Sequence, residues 1–279
     1  MYCRVDATVS ILRIWRDEGA ELWQDFRLSI RAMNSLQRLL DRGQDHGWGN
    51  DLEVLIYTYW LAHGLSYQVV SSVQCTKGYC ALSVIHRVAQ SIWNNLSRVL
   101  SFPQAEELQA VGVGFADISG TPAFANVVGA IDGSHIWIKP PQLHCLDYLN
   151  YKNFYSINMQ AIFDAKGKFL DIYVGYPGSV HDTRVMVGSP RPVVLERAFG
   201  MMKTRWRSTL FRALEVKPTF APQVIASCAF LHNIMGTHWI LMRTVMTLTP
   251  HPPQEQMGLN ETLGNHIRDT LAAQVSGKT

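Results

Sequence analysis

The sequence has few cysteines, few charged residues and no long apolar run, and each shortage excludes a class of protein. Its five cysteines are odd in number and scattered, which does not fit a disulfide framework and favours a reducing compartment. No uninterrupted apolar stretch reaches about 18 residues, so we expect no membrane span. The N-terminus does not combine a basic start with an apolar run, so we expect no secretory signal peptide.

Several motifs that would indicate a particular chemistry are also missing. The chain has no glycine-rich phosphate loop and no Gly-x-Ser-x-Gly nucleophile motif. Cys75 and Cys80, with His86 nearby, have neither the close spacing nor the fourth ligand of a zinc site. These absences argue against P-loop nucleotide binding, serine-hydrolase chemistry and structural zinc.

What is present is the composition of a folded protein with an uneven charge. Apolar residues make up 47% and charged residues 17% of the chain, which excludes a disordered or low-complexity protein. Residues 1–125 carry a net charge of −2, and residues 126–279 carry +5. The segment 184–217 holds eight Lys and Arg residues against two glutamates, a net +6. Such an excess either attracts a polyanion such as nucleic acid or covers a solvated helix face.

Residues 1–118 are predicted to form an α-helical domain. Apolar residues recur at three- and four-residue spacing over 7–42, and an apolar helix is predicted over 51–62. Two further helices are predicted over 66–74 and 80–100, with a glycine-containing turn between them. A short helix, a turn and a longer helix are the outline of a helix-turn-helix, which many other helical domains also have.

Residues 119–249 are predicted to form a mixed α/β domain, followed by a linker and a last helix over 250–279. A tight hairpin turn is predicted at 165–167. The hydrophobic pattern predicts strands and helices in this order: strands over 126–131, 135–138, 156–163 and 169–174, then helices over 181–187, 192–214 and 222–248.

Three carboxylates are candidates for chemistry. Asp132 follows an apolar run and precedes Gly133, which suits a metal ligand at the end of a buried strand, although Asp-Gly is also a common hairpin turn. Asp182 is either a ligand or a residue that stabilises the first turn of a helix. Glu196 has apolar neighbours, where a carboxylate costs free energy unless it is paired or binds a cation. Together they would suit two Mg²⁺ or Mn²⁺ ions that cleave phosphodiesters.

Four segments carry a resemblance to a known family. In this order they resemble the Harbinger transposase-derived nucleases, whose DDE-type domain derives from PIF/Harbinger DNA transposons, and residues 26–103 resemble the family more loosely. The four segments are GAIDGSHIWIKPP (129–141), YLNYKNFYSINMQAIFDAKGKFLDIYVGYPGSVHDTRVM (148–186), VLERAFGMMKTRWR (194–207) and CAFLHNI (228–234).

The resemblance implies an RNase H-like nuclease core, a divalent cation (Mg²⁺ or Mn²⁺) as cofactor, DNA as partner and a location in the nucleus, with the cytoplasm as an alternative. It assigns metal binding and catalysis to Asp132, Asp182 and Glu196. A Myb/SANT-like protein is expected as a further partner. The excess of positive charge leads us to expect DNA contacts from four basic residues: Arg197, Lys203, Arg205 and Arg207.

One part of the family pattern is missing. Members carry a further aspartate in a Gly-Asp-x-x-Tyr strand segment, but only thirteen residues separate Asp182 from Glu196, and they contain no Gly-Asp. We therefore expect a truncated core, with an internal deletion near 187–191 that removes a strand and a metal ligand. The chain is then either a metal-dependent nuclease or a catalytically inactive remnant that binds DNA or protein. If the short chain proved active, Asp164 or Asp171 would be expected to complete the site.

Overall fold

A computed structural model describes residues 22–40, 49–73, 78–180, 193–206, 210 and 212–236. Its first part is helical, with α1 (Leu22–Phe26), α2 (Ile30–Leu39), α3 (Asn50–His63), α4 (Tyr67–Val73), α5 (Gly78–Asn94) and α6 (Leu108–Ser119). The strands and helices that follow are β1 (Ala130–Trp137), β2 (Ser156–Phe163), β3 (Phe169–Pro177), α7 (Val193–Arg205) and α8 (Ala221–Met235).

Helix α3 is the predicted apolar helix, and it is buried on nearly every side. It ends at Gly64, whose φ of +61° is the left-handed conformation that glycine adopts without strain. The buried carboxylate of Glu53 accepts two hydrogen bonds from Arg87 of α5, at 2.6 and 3.0 Å. This bidentate ion pair satisfies a charge inside the helical core and fixes α3 against α5.

Helices α4 and α5 confirm the predicted helix pair, although residues 74–77 between them lie outside the described residues. The rings of Trp60 and Tyr67 stack with centroids 5.9 Å apart, which holds α4 against α3. His86 of α5 stacks on Phe220 at 3.8 Å, just before α8. The aromatic contacts explain how this helix pair packs, and DNA recognition by it stays a prediction.

The three strands form an antiparallel sheet in the order β1-β2-β3. Strand β2 spans the predicted residues 156–163, and the predicted turn after it is confirmed. There Asp164 accepts hydrogen bonds from the backbone N–H groups of Lys166 and Lys168, and Gly167 has a φ of +81°. This turn chemistry closes the hairpin and sets the pairing of β2 with β3.

The predicted break between two strands around Asp132 is wrong. Residues 130–137 form the single strand β1, and each of them has a pairing partner on β2. Gly133, for which a hairpin turn is one alternative, lies inside the strand opposite Gln160. A glycine in a strand interior weakens the strand without ending it, and the continuous ladder outweighs that local preference.

Helix α8 connects the helical part with the sheet, because it packs against both α5 and β3. The amide of Asn233 accepts a hydrogen bond from the N–H of Phe169 at 2.9 Å and donates to its carbonyl at 2.7 Å. It also donates to the carbonyl of Val99 at 3.2 Å. The predicted boundary at 118–119 falls at the end of α6, and the helical part and the sheet share one core.

The predicted helix over 192–214 is too long, since α7 ends at Arg205. Beyond it, Leu214 forms a parallel bridge with Ile138, next to the end of β1. The predicted linker and last helix over 250–279 and the predicted deletion near 187–191 lie outside the described residues. No helix in the described ranges combines the length and the apolar character needed to cross a membrane.

Candidate active site on strand β1 and helix α7

Asp132 lies in the interior of β1 and pairs with Ala161 of β2. Its prediction as a residue at a strand end is wrong, and the hairpin-turn alternative is excluded by the same ladder. The side chain is half-buried, and its Oδ1 accepts a hydrogen bond from the N–H of Gly133 at 2.7 Å. The strand thus presents a carboxylate at a partly desolvated place, which is where an oxygen ligand holds a cation well.

Side chains alternate along β1, so Asp132, Ser134 and the fully buried Ile136 share one face. We call this the inner face of the sheet. Helix α7 packs against it, and Phe199 of α7 meets Phe163 of β2 there with ring centroids 5.0 Å apart. The helix that carries position 196 therefore lies on the same side of the sheet as Asp132.

Lys203 of α7 reaches β1. Its Nζ donates to the hydroxyl of Ser134 at 2.7 Å and lies 3.4 Å from the carbonyl oxygen of His135. Burial lowers the pKa of Lys203, the nearby charge of Lys152 lowers it further, and Asp132 acts in the opposite direction. An anion beside the two lysines would relieve both the desolvation and the like-charge repulsion. The site thus combines a carboxylate with two cations.

The other two predicted ligands lie wholly or partly outside the described residues. Asp182 lies outside the described residues, and only the backbone of Glu196 is described, within α7. Position 196 precedes Lys203 by seven residues, which is two turns on one helix face. The described part of the chain holds no group of three His, Cys, Asp or Glu residues that could bind a metal ion. Convergence of the three predicted carboxylates stays a prediction.

The prediction that Arg205 contacts DNA is wrong, because its side chain is only 2% exposed. Phe199, Met202 and Arg205 recur at three-residue spacing and form the buried face of α7. The guanidinium donates to the carbonyl of His232 at 3.4 Å and lies 5.9 Å over the ring of Trp23. Burial lowers its pKa to about 9. A positive charge in the sequence therefore does not imply a positive surface.

The other predicted DNA contacts have different outcomes. Lys203 is half-buried and faces Asp132, a position from which it can contact a bound phosphate. The side chain of Arg197 is outside the described part, and Arg207 lies outside it entirely. DNA contact by these three residues stays a prediction.

The two carboxylates expected as substitutes do not lie beside Asp132. Asp164 closes the hairpin turn between β2 and β3. Asp171 pairs with Ile162, whose side chain lies on the sheet face opposite that of Asp132. Neither residue can complete the site on the inner face.

Two useful residues of this site were not singled out by the sequence analysis. Ser134 anchors Lys203, and its position two residues after Asp132 on a strand was a signal that the side chains share a face. Lys152 lies in the loop before β2, twenty residues from Asp132 along the chain, so no local pattern connects it to the site.

Comparison with known proteins finds a match to the same part of the chain. The DDE superfamily endonuclease family matches residues 131–191, which include Asp132 and Asp182. "Putative nuclease HARBI1" of Rattus norvegicus and of Homo sapiens are each 27% identical over 169 residues, covering 59% of this chain and 47% of theirs. "Protein ALP1-like" of Arabidopsis thaliana is 29% identical over 164 residues, covering 58% of this chain and 34% of its own. No solved structure matches the chain.

These matches identify a DDE-type endonuclease segment within a chain of mixed α/β fold. The predicted resemblance is confirmed: residues 131–191 match the DDE superfamily endonuclease family, and the chain is similar to the HARBI1 nucleases. It spans about half the length of the HARBI1 relatives that it matches.

Proposed function

We propose that the chain carries the phosphodiester-cleaving site of a divalent-metal-dependent DNA nuclease, built on an RNase H-like core. The observation that supports this most is the geometry at β1. The carboxylate of Asp132 and the ammonium of Lys203 act on each other across the inner face of the sheet, and Ser134 holds Lys203 in place. A carboxylate can bind a cation while the ammonium binds the phosphate that the cation also contacts.

The donor chemistry of the site fits Mg²⁺ or Mn²⁺, which prefer carboxylate oxygens to nitrogen or sulfur. Asp132 would hold the cation together with Asp182 and Glu196. When bound, such an ion polarises the phosphodiester and activates the attacking water or hydroxyl. Lys203 and Lys152 attract and orient the phosphate, and the hydrogen bond from Lys203 to Ser134 limits the positions that the ammonium can take.

A second candidate function is a catalytically inactive, DNA-binding form of the same nuclease. It is favoured by the thirteen residues between Asp182 and Glu196, which contain no Gly-Asp segment. It is also favoured by the position of β1 at the edge of the described sheet, where Leu214 bridges only Ile138. A further strand along β1 would bring another carboxylate next to Asp132.

A plasmid-nicking assay with Mg²⁺ or Mn²⁺, and with EDTA as control, separates the two candidates. We expect little nicking by the 279-residue chain and clear nicking by a longer form in which the Gly-Asp segment is restored. In the longer form, Asp132→Ala should reduce the rate by about 10²- to 10³-fold. Asp171→Ala is the matched control, because it removes a carboxylate from the opposite face and should leave the rate unchanged.

Two results would contradict this assignment. If the longer form binds DNA but does not nick it, the inactive DNA-binding function is the better description. If the short chain nicks as fast as the long one, the deletion does not impair the site. The nuclear location and the Myb/SANT-like partner stay proposals, to be tested by imaging a fluorescent fusion and by co-purification with the partner.

A further inference from the structure

The sheet face opposite Asp132 exposes large aromatic side chains. Trp137 of β1 is 48% exposed, and Tyr173 and Tyr176 of β3 are 54% and 45% exposed. Buried sheet faces keep such side chains from water, so this face has an unusual composition for a solvated surface. We call it the outer face; it includes Gly133, His135, Trp137, Gln160, Tyr173 and Tyr176, and Ile131, Ile162 and Asp171 lie on the same face.

A β-bulge at Gly175 brings the two tyrosines together. Residues three apart on a regular strand point to opposite faces, but Tyr173 pairs with Gln160 while Tyr176 pairs with Asn158. The register skips Gly175, whose φ of +140° is strained for any other residue. Both tyrosines therefore lie on the outer face, with ring centroids 4.8 Å apart and planes inclined by 33°.

Aromatic rings also surround the β1 side of the outer face. His135 lies 5.8 Å from the ring of Tyr151, and Trp137 lies 6.1 Å from that of Phe154. The ammonium of Lys152 is 5.7 Å from the centre of the Tyr151 ring. Gly133, which has no side chain, and the half-buried amide of Gln160 pair with each other on this face and project less than the surrounding rings.

This combination suits unpaired nucleotides. Flat bases stack on exposed aromatic rings, an amide can hydrogen-bond a base edge, and a nearby lysine attracts the phosphate. Ile131 and Ile162 also lie on this face, so apolar contacts alone would suit a protein as well; the exposed rings beside the ammonium of Lys152 are what suits a nucleic-acid strand. The chemistry therefore favours a nucleic-acid strand over a protein as the occupant.

The outer face is also continuous with the candidate active site. Asp132 and Gly133 are consecutive residues of β1, so they lie on opposite faces of the same strand. Lys152 connects the faces, because it acts on Lys203 of the inner face and lies over Tyr151 beside the outer face. A phosphate held by Lys152 would therefore lie close to both the active site and the outer face.

We propose that the outer face is a stacking platform for unpaired nucleotides of the DNA strand that flanks the cleaved phosphate. This inference rests on the proposed function for its choice of substrate. It adds a substrate preference, which is single-stranded or locally opened DNA next to the cleavage position.

The test is binding of a fluorescein-labelled oligothymidylate of about twelve nucleotides to the full chain in EDTA, followed by fluorescence anisotropy. Replacing both Tyr173 and Tyr176 by Ala should weaken binding by about tenfold or more, because each stacked base contributes measurably to affinity. The matched double replacement by Phe keeps the rings and should bind within about twofold of the unchanged protein. Phe102→Ala removes an exposed ring outside this face and should have no effect.

The wild-type chain should also prefer this oligonucleotide to a duplex of equal length at the same salt concentration, since paired bases are not available to stack. Thermal denaturation of each variant establishes that it is folded. The inference is overturned if the folded double-Ala variant binds as tightly as wild type, or if duplex is preferred. It is also overturned if the double-Ala change alters self-association in sedimentation, which would make the outer face a contact between copies.

Failure of the proposed function gives a different result. The binding assay contains no metal and needs no cleavage, so a chain that never nicks DNA can still show the tyrosine-dependent binding. The opposite result is also possible. If nicking depends on Asp132 but the tyrosine replacements do not change the oligonucleotide affinity, the nuclease assignment stands and the stacking platform is refuted.

Discussion

The ammonium of Lys203 donates a hydrogen bond to the hydroxyl of Ser134 at 2.7 Å, and this contact joins helix α7 to strand β1. Sixty-nine residues separate the two in the chain. Because Ser134 and Asp132 alternate onto the same face, the contact places a positive charge near the candidate metal ligand. A lysine on a solvent-exposed helix face would not be buried against a strand in this way.

Replacing Lys203 by Met should weaken DNA binding, because it removes a cation that we expect to contact phosphate. The slope of log affinity against log salt concentration should decrease by about one unit. Anisotropy titrations with a duplex at several salt concentrations measure both quantities. Lys166→Met removes an equal charge at the hairpin turn after β2 and serves as the control. An unchanged affinity and slope for Lys203→Met would place the DNA on another surface.

Replacing Arg205 by Ala should destabilise the fold rather than weaken DNA binding. The side chain is buried against Trp23, and its removal leaves a cavity and an unsatisfied carbonyl at His232, which together cost about 2–4 kcal/mol. Arg212→Ala removes an equal charge from an exposed position and should change stability by less than about 0.5 kcal/mol. Chemical denaturation compares the two. Equal stabilities would show that Arg205 is solvated after all.

Two helical glycines should respond to Ala in opposite directions. A Cβ at Gly112 of α6 would overlap the backbone carbonyl of Ala125, so Gly112→Ala forces α6 away from the turn at Pro122–Phe124. A Cβ at Gly200 of α7 meets nothing, and Ala there should stabilise the helix by about 0.5–1 kcal/mol. Melting temperatures of the two variants test this directly. A stabilised Gly112→Ala would mean that α6 is not packed against Ala125.

Acidification should destabilise the protein through His232. Burial lowers the pKa of His232 to about 3, with the charge of Arg205 acting in the same direction. The unfolded chain then takes up a proton near pH 6.5 that the folded chain does not, so stability is lost as the pH falls from about 6.5 towards 3. This residue should account for about 2 kcal/mol between pH 7 and pH 5.

The matched variant for this test is His232→Phe, which keeps a ring against Phe169 and removes the titration. Denaturant unfolding at pH 7 and pH 5 should show a smaller loss for the variant than for the wild type. His144→Asn, at an exposed position with a positive φ that Asn tolerates, should behave like the wild type. A wild-type loss as small as that of His232→Phe would refute burial of a neutral imidazole.

Much of the local structure could be predicted from the sequence. The β2–β3 hairpin was predictable because alternating apolar residues flank a turn in which Asp164 and Gly167 supply the required backbone contacts. The family was predictable because long motifs around Asp132, Asp182 and Glu196 lie in the expected order. Asp132 itself was found, although its place in the middle of a strand was not, since Asp-Gly locally favours a turn.

The sequence by itself determined the resemblance to the Harbinger-derived nucleases, most of the described helices, the hairpin and the candidate ligand Asp132, because these depend on residue order and short-range periodicity. Arg205 and Lys203 are two residues apart on one basic helix. Only the tertiary structure decided that Arg205 is buried and that Lys203 faces Asp132. It also decided that a bulge at Gly175 puts Tyr173 and Tyr176 on one face. Which side of an element meets the core depends on what packs against it, and those partners are distant in the chain.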